Sequence, residues 1–405
     1  MMLGKPDEDR DSVCQPWRFS MRRMFQYQIA AVCMVLVGLT SAAASAPGFA
    51  TASSTRASRT SKAGCAIRQT WSQCARRPDS PPPAHTAKDL SPPFRFFSPQ
   101  SFWNTPLWRH APLARNSRAL VSDLLRYVHG EQARKTGPWI NAGTDGVTIL
   151  TVPANQPTVT VTLDHYPDAN LSSAWSAVPL PPGARPSPGD NDLAVWQPST
   201  NSMWEFFQLH QTANGWEAEW GGAMQNVSSN RGVYGPGAWP ASPTENGWTG
   251  DESRWGVTAA SFPIVAGAIT YQDLRAGQID HALAMVYPNV RRRAFVSPAL
   301  RDDGWSKDPN SLPEGTRLRL DPRLNLAKLK MPPLTRMIAL AAQRYGIIIR
   351  DQAGVMSFIQ QDPTGDSSFL ALGPTLTGGL YASQLLASFP WSHLQVMKMD
   401  IHQGW

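Results

Sequence analysis

Met203–Gly222 reads MWEFFQLHQTANGWEAEWGG. Trp204, Trp216 and Trp220 and the acids Glu205, Glu217 and Glu219 flank the turn-like Thr212-Ala213-Asn214-Gly215. Aromatic and apolar residues on both sides of a turn predict two strands of a hairpin. Side chains alternate faces along a strand, so Glu205, Phe207 and Leu209 share one face, and Trp204, Phe206, Gln208 and His210 share the other. On the return, Trp216, Ala218 and Trp220 lie opposite Glu217 and Glu219. The stretch admits three readings: the stacked core of a β-hairpin, a sugar-binding surface, or the carboxylates of an active site.

Outward from this stretch the pattern stays β-rich. Val147–Val152 and Thr158–Leu163 are β-branched runs, and Leu193–Trp196 leads through Pro198-Ser199-Thr200-Asn201 into Met203–His210. Ala282–Tyr287 and Arg317–Leu320 read as strands. Ile347–Arg350 and Val355–Ile359 read as a hairpin around Gln352-Ala353-Gly354. Two helices stand out. One runs from Asn116 or Ser117 to His129, with Gly130 as its stop. The other covers Pro332–Tyr345, with proline at its start, Gly346 at its end and Leu334, Ile338, Ala341, Ala342 and Tyr345 in one stripe. The glycine-rich Gly221–Gly256 is too irregular for regular elements. Short strands, few helices, 36 prolines and 30 glycines predict a mostly β body. It is expected as a β-sandwich or jelly roll with accessory helices, the alternative being an α+β fold in which the 332–345 helix covers one sheet.

The body begins near Phe94 and is expected to be one domain, 94–405. Before it, residues 47–93 are rich in Pro, Ser, Thr, Ala and Arg and read as a linker. Residues 1–46 read as an N-terminal extension and signal peptide. Met21-Arg22-Arg23 is followed by the apolar run Ile29–Thr40 and by small residues suited to cleavage near Ala44, Ala46 or Ala50. The expectation is a secreted, periplasmic or cell-envelope protein without a stable transmembrane domain, an uncleaved N-terminal anchor being the alternative. In an oxidising compartment Cys65 and Cys74, eight residues apart, would close a local disulfide. Residues 1–95 hold 13 Lys/Arg and 6 Asp/Glu, whereas residues 96–405 hold 24 of each. The basic balance belongs to the leader and linker, which removes the argument for a nucleic-acid partner.

Several residues are candidates for chemistry. Glu205 shares a face with apolar neighbours; if that face is buried, the charge needs a partner or a function. Glu217 and Glu219, roughly 7 Å apart along one strand, are compatible with a catalytic pair or with two solvated acids. Asp190-Asn191-Asp192 precedes a strand and can be a turn whose side chains bond their own backbone or, through Asp190 and Asp192, a calcium site. His281, in Gly277-Gln278-Ile279-Asp280-His281-Ala282-Leu283, can be a general base or a structural histidine bonded to a backbone carbonyl. Trp204 and Trp220 can stack on sugar rings or fill a core. There is no G-x-S-x-G elbow, H-E-x-x-H, P-loop or G-x-G-x-x-G, and the eight histidines show no metal-ligand spacing.

Taken together, Ser101-Phe102-Trp103-Asn104, Asp190-Asn191-Asp192, Met203-Trp204-Glu205-Phe206, Trp220-Gly221-Gly222, Phe262–Gly267, Gly277–Leu283, Pro313–Pro322 and Tyr345-Gly346 make the body similar to a group of secreted bacterial proteins frequent in actinobacteria. The resemblance covers roughly residues 98–355. It implies export and a shared fold, and it carries no activity with it. Glu217-Ala218-Glu219 departs from its pattern by holding two acids where neutral polar residues are expected.

The functional expectation is a secreted carbohydrate-active protein acting on a polysaccharide or cell-envelope glycan. In a glycosidase, Glu205 and Asp192 would flank the glycosidic bond. In a polysaccharide lyase, His281 would take the proton beside a uronate carboxyl while an arginine neutralises that carboxyl. The alternative is a non-catalytic glycan- or envelope-binding protein.

Overall fold

The 203–222 stretch does return on itself, but its two arms are divided between two sheets. In the computed structural model, which describes residues 95–142, 145–165, 167–235, 255–362 and 375–403, the first arm forms one strand over Ser202–Phe207 and a second over His210–Thr212. The return arm forms Gly215–Ala218 and then Trp220–Met224. The break in the first arm is Gln208, whose φ of 57° lies in the left-handed region. That conformation is uncommon outside glycine and ends a ladder. The leader, the linker and the Cys65–Cys74 pair lie outside the described residues.

In chain order the strands are β1 (Trp139–Asn141), β2 (Thr148–Thr151), β3 (Val161–Leu163), β4 (Leu193–Gln197), β5 (Ser202–Phe207), β6 (His210–Thr212), β7 (Gly215–Ala218), β8 (Trp220–Met224), β9 (Leu283–Tyr287), β10 (Ala294–Val296), β11 (Arg317–Leu320), β12 (Ile347–Gln352), β13 (Ser357–Ile359), β14 (Leu394–Val396) and β15 (Ile401–Gln403). The helices are α1 (Ser117–Arg134), α2 (Ala169–Ala174), α3 (Tyr271–Ala276), α4 (Pro333–Arg344) and α5 (Ala382–Leu385). The chain is mostly β, with its strands in four sheets and only a few helices. The sheet orders are β1-β13-β9-β12-β11-β14, β2-β4-β5-β8, β3-β7-β6 and β10-β15. Parallel pairs (β1–β13, β9–β12, β2–β4, β3–β7) stand beside antiparallel ones, a mixture that the expectation of a sandwich did not include. Among the described residues no helix is long and apolar enough to cross a membrane.

Two cores follow from this arrangement. One gathers Trp103, Trp175, Trp196, Trp204, Trp220, Trp255 and Phe206 around the four-stranded sheet. The other lies on the six-stranded sheet beneath α1 and α4. The stripe expected on α4 is buried, with Leu334, Ile338, Ala341 and Ala342 at 3% exposure or less. This helix packs on β9 and β11.

The hairpin expected from Ile347–Arg350 and Val355–Ile359 does not form. β9 lies between them, parallel to β12 and antiparallel to β13. The reason is in the composition of β12. Its first four residues, Ile-Ile-Ile-Arg, are all buried, and a strand apolar on both faces belongs inside a sheet rather than at the rim.

Candidate functional site

The loop before β4, the middle of β5 and the end of β12 bring their acidic side chains together around one arginine. Glu205 sits on β5, between β4 and β8, and is fully buried. Its Oε1 accepts the Val257 N–H at 2.9 Å and its Oε2 accepts the Ile264 N–H at 2.8 Å. The carboxylate thus anchors both ends of the 257–264 segment. Across the ladder from Glu205 stands Gly222. A β-carbon there would lie 2.5 Å from the Tyr234 ring, so the glycine admits that ring beside the carboxylate. The Tyr234 hydroxyl is within electrostatic reach of Glu205 yet has no well-aligned hydrogen-bond partner. Burial pushes the Glu205 carboxyl up to about 7, opposed by the backbone N–H groups of Val257 and Ile264 and by the side chains of Tyr234 and Arg350.

Asp192 ends the loop that feeds β4. It is 5% exposed, and its Oδ1 has no hydrogen-bond partner. Burial, then the nearby Asp190, drives its carboxyl well above the usual range, with Arg350 opposing. Asp190 is pushed up to about 7 by burial and by Asp145 and Asp351. The turn carrying both residues depends on Gly189, at φ 95°; a β-carbon there would fall 1.8 Å from the Asp145 carboxylate. The carbonyls of Asp190 and Asn191 accept the N–H groups of Gln208 and Leu209 at 3.0 and 3.1 Å. The left-handed break in the first arm is therefore where the acidic turn docks.

Arg350 is the buried cation of this cluster. Its Nε donates to Asp351 Oδ2 at 2.8 Å and its Nη1 to the Ile264 carbonyl at 3.0 Å. Adjacent strand residues ordinarily face opposite ways, but the register of β12 against β9 shifts between Ile349 and Asp351. The resulting bulge re-aims the backbone and lets consecutive side chains meet. Asp351, with a side chain 17% exposed, also accepts the Ala259 N–H. Burial raises it to about 6, held back by Arg350.

From Asp351 the charges continue through Asp303 to Glu314 and Asp302. Glu314 is fully buried, and burial followed by Asp303 drives its carboxyl well upward. Arg301 borders this end and donates to the carbonyls of Gly256, Thr258 and Ala259. Eight carboxyls (Asp145, Asp190, Asp192, Glu205, Asp302, Asp303, Glu314 and Asp351) are linked pairwise while two guanidiniums border them. Buried charges so outnumbered cannot all ionise, so several acids keep their protons near neutral pH.

Asp192 and Glu205 thus belong to one cluster, as their joint role requires, but Glu205 is sealed from solvent. Asp190 and Asp351 keep partial solvent contact, as do Asp145, Asp302 and Asp303, whereas Asp192, Glu205 and Glu314 are buried. Asp190 was read from the sequence as a backbone-bonded turn or a calcium ligand, not as an acid, and Asp351 was missed because it closes a strand like an ordinary turn residue. The guanidinium of Arg350 opposes the upward shift of both Asp190 and Asp192.

His281 lies elsewhere, 9% exposed. Nδ1 donates to the Ala282 carbonyl at 2.8 Å, and Nε2 meets Asp273 Oδ2 at 3.2 Å. The same Asp273 oxygen closes the capping box of α3 with Thr270. Burial lowers the His281 pKa, but Asp273 and the carbonyl outweigh it and leave it raised. Both nitrogens are engaged. Trp204 and Trp220 are 4% and 6% exposed, and the Trp204 indole donates to the Ala174 carbonyl. They pack in the core instead of lining a surface.

Two further features border the sheets. A cleft of about 330 Å³ is lined by Thr148–Thr151, Trp196, Tyr271, Gln272, Arg275 and Gln361. On the three-stranded sheet, Asp164, His210 and Glu217 place three ligand atoms within 4.8 Å of one another, the one such group among the described residues. Glu217 was weighed from sequence only as a partner of Glu219. Here β7 ends at Ala218, before Glu219, and Glu217 faces His210 across the ladder.

Comparison of the chain with known protein families, with functionally described proteins and with experimentally solved structures gives no match.

Proposed function

We propose that this chain is a glycan hydrolase whose acid–base chemistry sits at the solvent-touching edge of the carboxyl cluster, on Asp190 and Asp351. The observation that carries this reading is the excess of linked carboxyls over arginines, with Asp190 raised to about 7 and Asp351 to about 6. Two carboxyls with separated proton affinities are what glycosidic cleavage uses. Asp190, protonated near neutral pH, donates to the leaving oxygen. Asp351, kept more acidic by Arg350, acts as the base or nucleophile. Asp192 and Glu205 lie beneath them, Asp192 tuning Asp190 and Glu205 holding the 257–264 segment. The glycan as substrate rests on the expected export of the chain.

Elimination is less well supported. With Nδ1 donating to a carbonyl and Nε2 on Asp273, His281 has no lone pair left to take a proton from a uronate. The second reading, glycan binding without catalysis, draws on the polar cleft, where amides, threonine hydroxyls and Arg275 converge beside Trp196 and Tyr271.

The test is a polysaccharide panel scored for new reducing ends and for unsaturated-uronate absorbance, with wild type beside Asp190→Asn, Asp351→Asn and His281→Gln. New reducing ends that vanish in both aspartate variants and persist in His281→Gln support hydrolysis at this site. Unsaturated product lost in His281→Gln would overturn it in favour of a lyase. Retention of a glycan without any product would leave the binding reading.

A further inference from the structure

We propose that Asp164, His210 and Glu217 form a binding site for a divalent transition-metal ion of the zinc class, which braces the break between β5 and β6. The argument stands on the geometry of the three-stranded sheet and is independent of the hydrolase reading.

The sheet assembles the set. β7 is central, flanked by β3 on one side and β6 on the other. Glu217 pairs directly with Thr162 on β3 and with His210 on β6. Paired residues project to the same face, so His210 and Glu217 stand side by side. Asp164, two residues beyond Thr162, returns to that face just past the end of β3. Residues remote in sequence are thereby placed on one patch, with His210 43% exposed and Asp164 and Glu217 26% and 22% exposed at their side chains.

The separations fit an ion better than direct contact. His210 Nε2 lies 3.6 Å from Asp164 Oδ2 and 3.7 Å from Glu217 Oε2. Both exceed ordinary hydrogen-bond length. Metal–ligand bonds of about 2.0–2.2 Å at a tetrahedral angle place ligand atoms about 3.3–3.6 Å apart. The two histidine–carboxylate separations are therefore close to the edges of a zinc-type polyhedron, and all three ligand atoms lie within 4.8 Å of one another.

The surrounding bonds fix the ligands in their metal-binding forms. His210 Nδ1 is 2.8 Å from the Gln208 carbonyl, which can only accept, so Nδ1 carries the proton. A neutral imidazole then turns the Nε2 lone pair toward the two carboxylates. Thr212 Oγ1 donates to Glu217 Oε1 at 3.0 Å and leaves Oε2 for the ion. Such outer contacts, on the far nitrogen of the histidine and the far oxygen of the carboxylate, are the usual supports of metal ligands. The carbonyl aimed at His210 belongs to the left-handed Gln208, whose N–H is held by the Asp190 carbonyl. An ion on His210 would thus steady the backbone on which the acidic turn docks. The imidazole selects zinc, cobalt or nickel over magnesium and calcium, which require all-oxygen shells.

The experiment uses the untagged, chelator-stripped chain. Cobalt(II) and zinc(II) are titrated in, followed by visible absorption and calorimetry, with magnesium and calcium as controls. Saturation at one ion per chain in the micromolar range or tighter, cobalt absorption displaced by zinc, and a melting temperature raised by zinc are expected. His210→Ala should weaken binding at least 100-fold, and Glu217→Gln should do likewise. Thr212→Val, which keeps all three ligands, should weaken it about 10-fold, as loss of an outer-shell contact does. Circular dichroism of each variant without metal controls for folding. The proposal is overturned if the stripped protein binds neither ion, if His210→Ala binds as wild type does, or if calcium binds and zinc does not.

Discussion

Replacing Glu205 by alanine tests whether this acid is the clasp of the 257–264 segment. In the wild type its two oxygens accept the N–H groups of Val257 and Ile264. Alanine leaves both donors buried without partners, each costing about 1–3 kcal/mol. The space left by the lost carboxyethyl group adds to this, for a total of roughly 3–6 kcal/mol. Glutamine, of the same shape, keeps one accepting oxygen and turns an NH2 toward the other donor, so it should cost about 2 kcal/mol. The loss is large against a typical domain stability of about 5–15 kcal/mol. Urea unfolding at pH 6 gives the global values, and hydrogen exchange at Val257 and Ile264 gives the local one. The expected order is alanine worse than glutamine, both worse than wild type, with protection lost at those two amides. An alanine variant within about 0.5 kcal/mol of wild type, or one that keeps both amides protected, would refute the clasp.

Stability should fall as pH rises from about 4.5 to about 7, opposite to the usual carboxylate behaviour. The folded carboxyls of Glu205 and Asp190 hold their protons to about 7 and that of Asp351 to about 6, above their unfolded values, so in this window the folded state binds more protons. His281 acts in the same direction, because its raised pKa gives stability present below 6.5 and lost as pH climbs through the folded value. Urea midpoints at pH 5, 6, 7 and 8 should decline steadily; a flat or rising series contradicts the cluster. Arg350→Met removes the buried cation and should cost about 3–5 kcal/mol. Its pH dependence should be steeper than that of wild type, and an unchanged slope would show that the acids do not sense Arg350. Gly222→Ala puts a β-carbon 2.5 Å from the Tyr234 ring and should cost about 1–3 kcal/mol. Thermal melts should show a smaller loss when Tyr234→Ala is present as well; strict additivity would mean that the ring is not the obstacle.

The β class, α4 and the start of α1 were legible because they rest on local signals, but α1 runs through Gly130, the expected stop, to Arg134 and ends at the left-handed Lys135. Pro333 and the Leu334–Ala342 stripe place α4 within a residue of its expected bounds. The pairing of β12 and β13 was not legible. Short range favours a hairpin, and only the burial of Ile347–Arg350 on both faces demands that β9 lie between them. Glu205 could be singled out because an acid on an apolar face has few options, and its two backbone donors are the partners that burial requires. Asp351 and Arg350 gave no signal, since their meeting depends on a bulge. Asp164 joins His210 and Glu217 only because β3 pairs with β7 in parallel. No spacing within the chain encodes that contact.

The position of β9 has a consequence for how the chain reaches this state. Its sequence Leu-Ala-Met-Val-Tyr is wholly buried, and both of its sheet neighbours lie more than fifty residues downstream. Until residues 347–359 arrive, both edges of an apolar, uncharged strand offer open hydrogen bonds to any other chain. Such edges template intermolecular pairing. A product truncated before Ile347 would therefore be expected to aggregate instead of remaining a soluble fragment, and nascent chains paused in that interval would need a holdase to keep them apart.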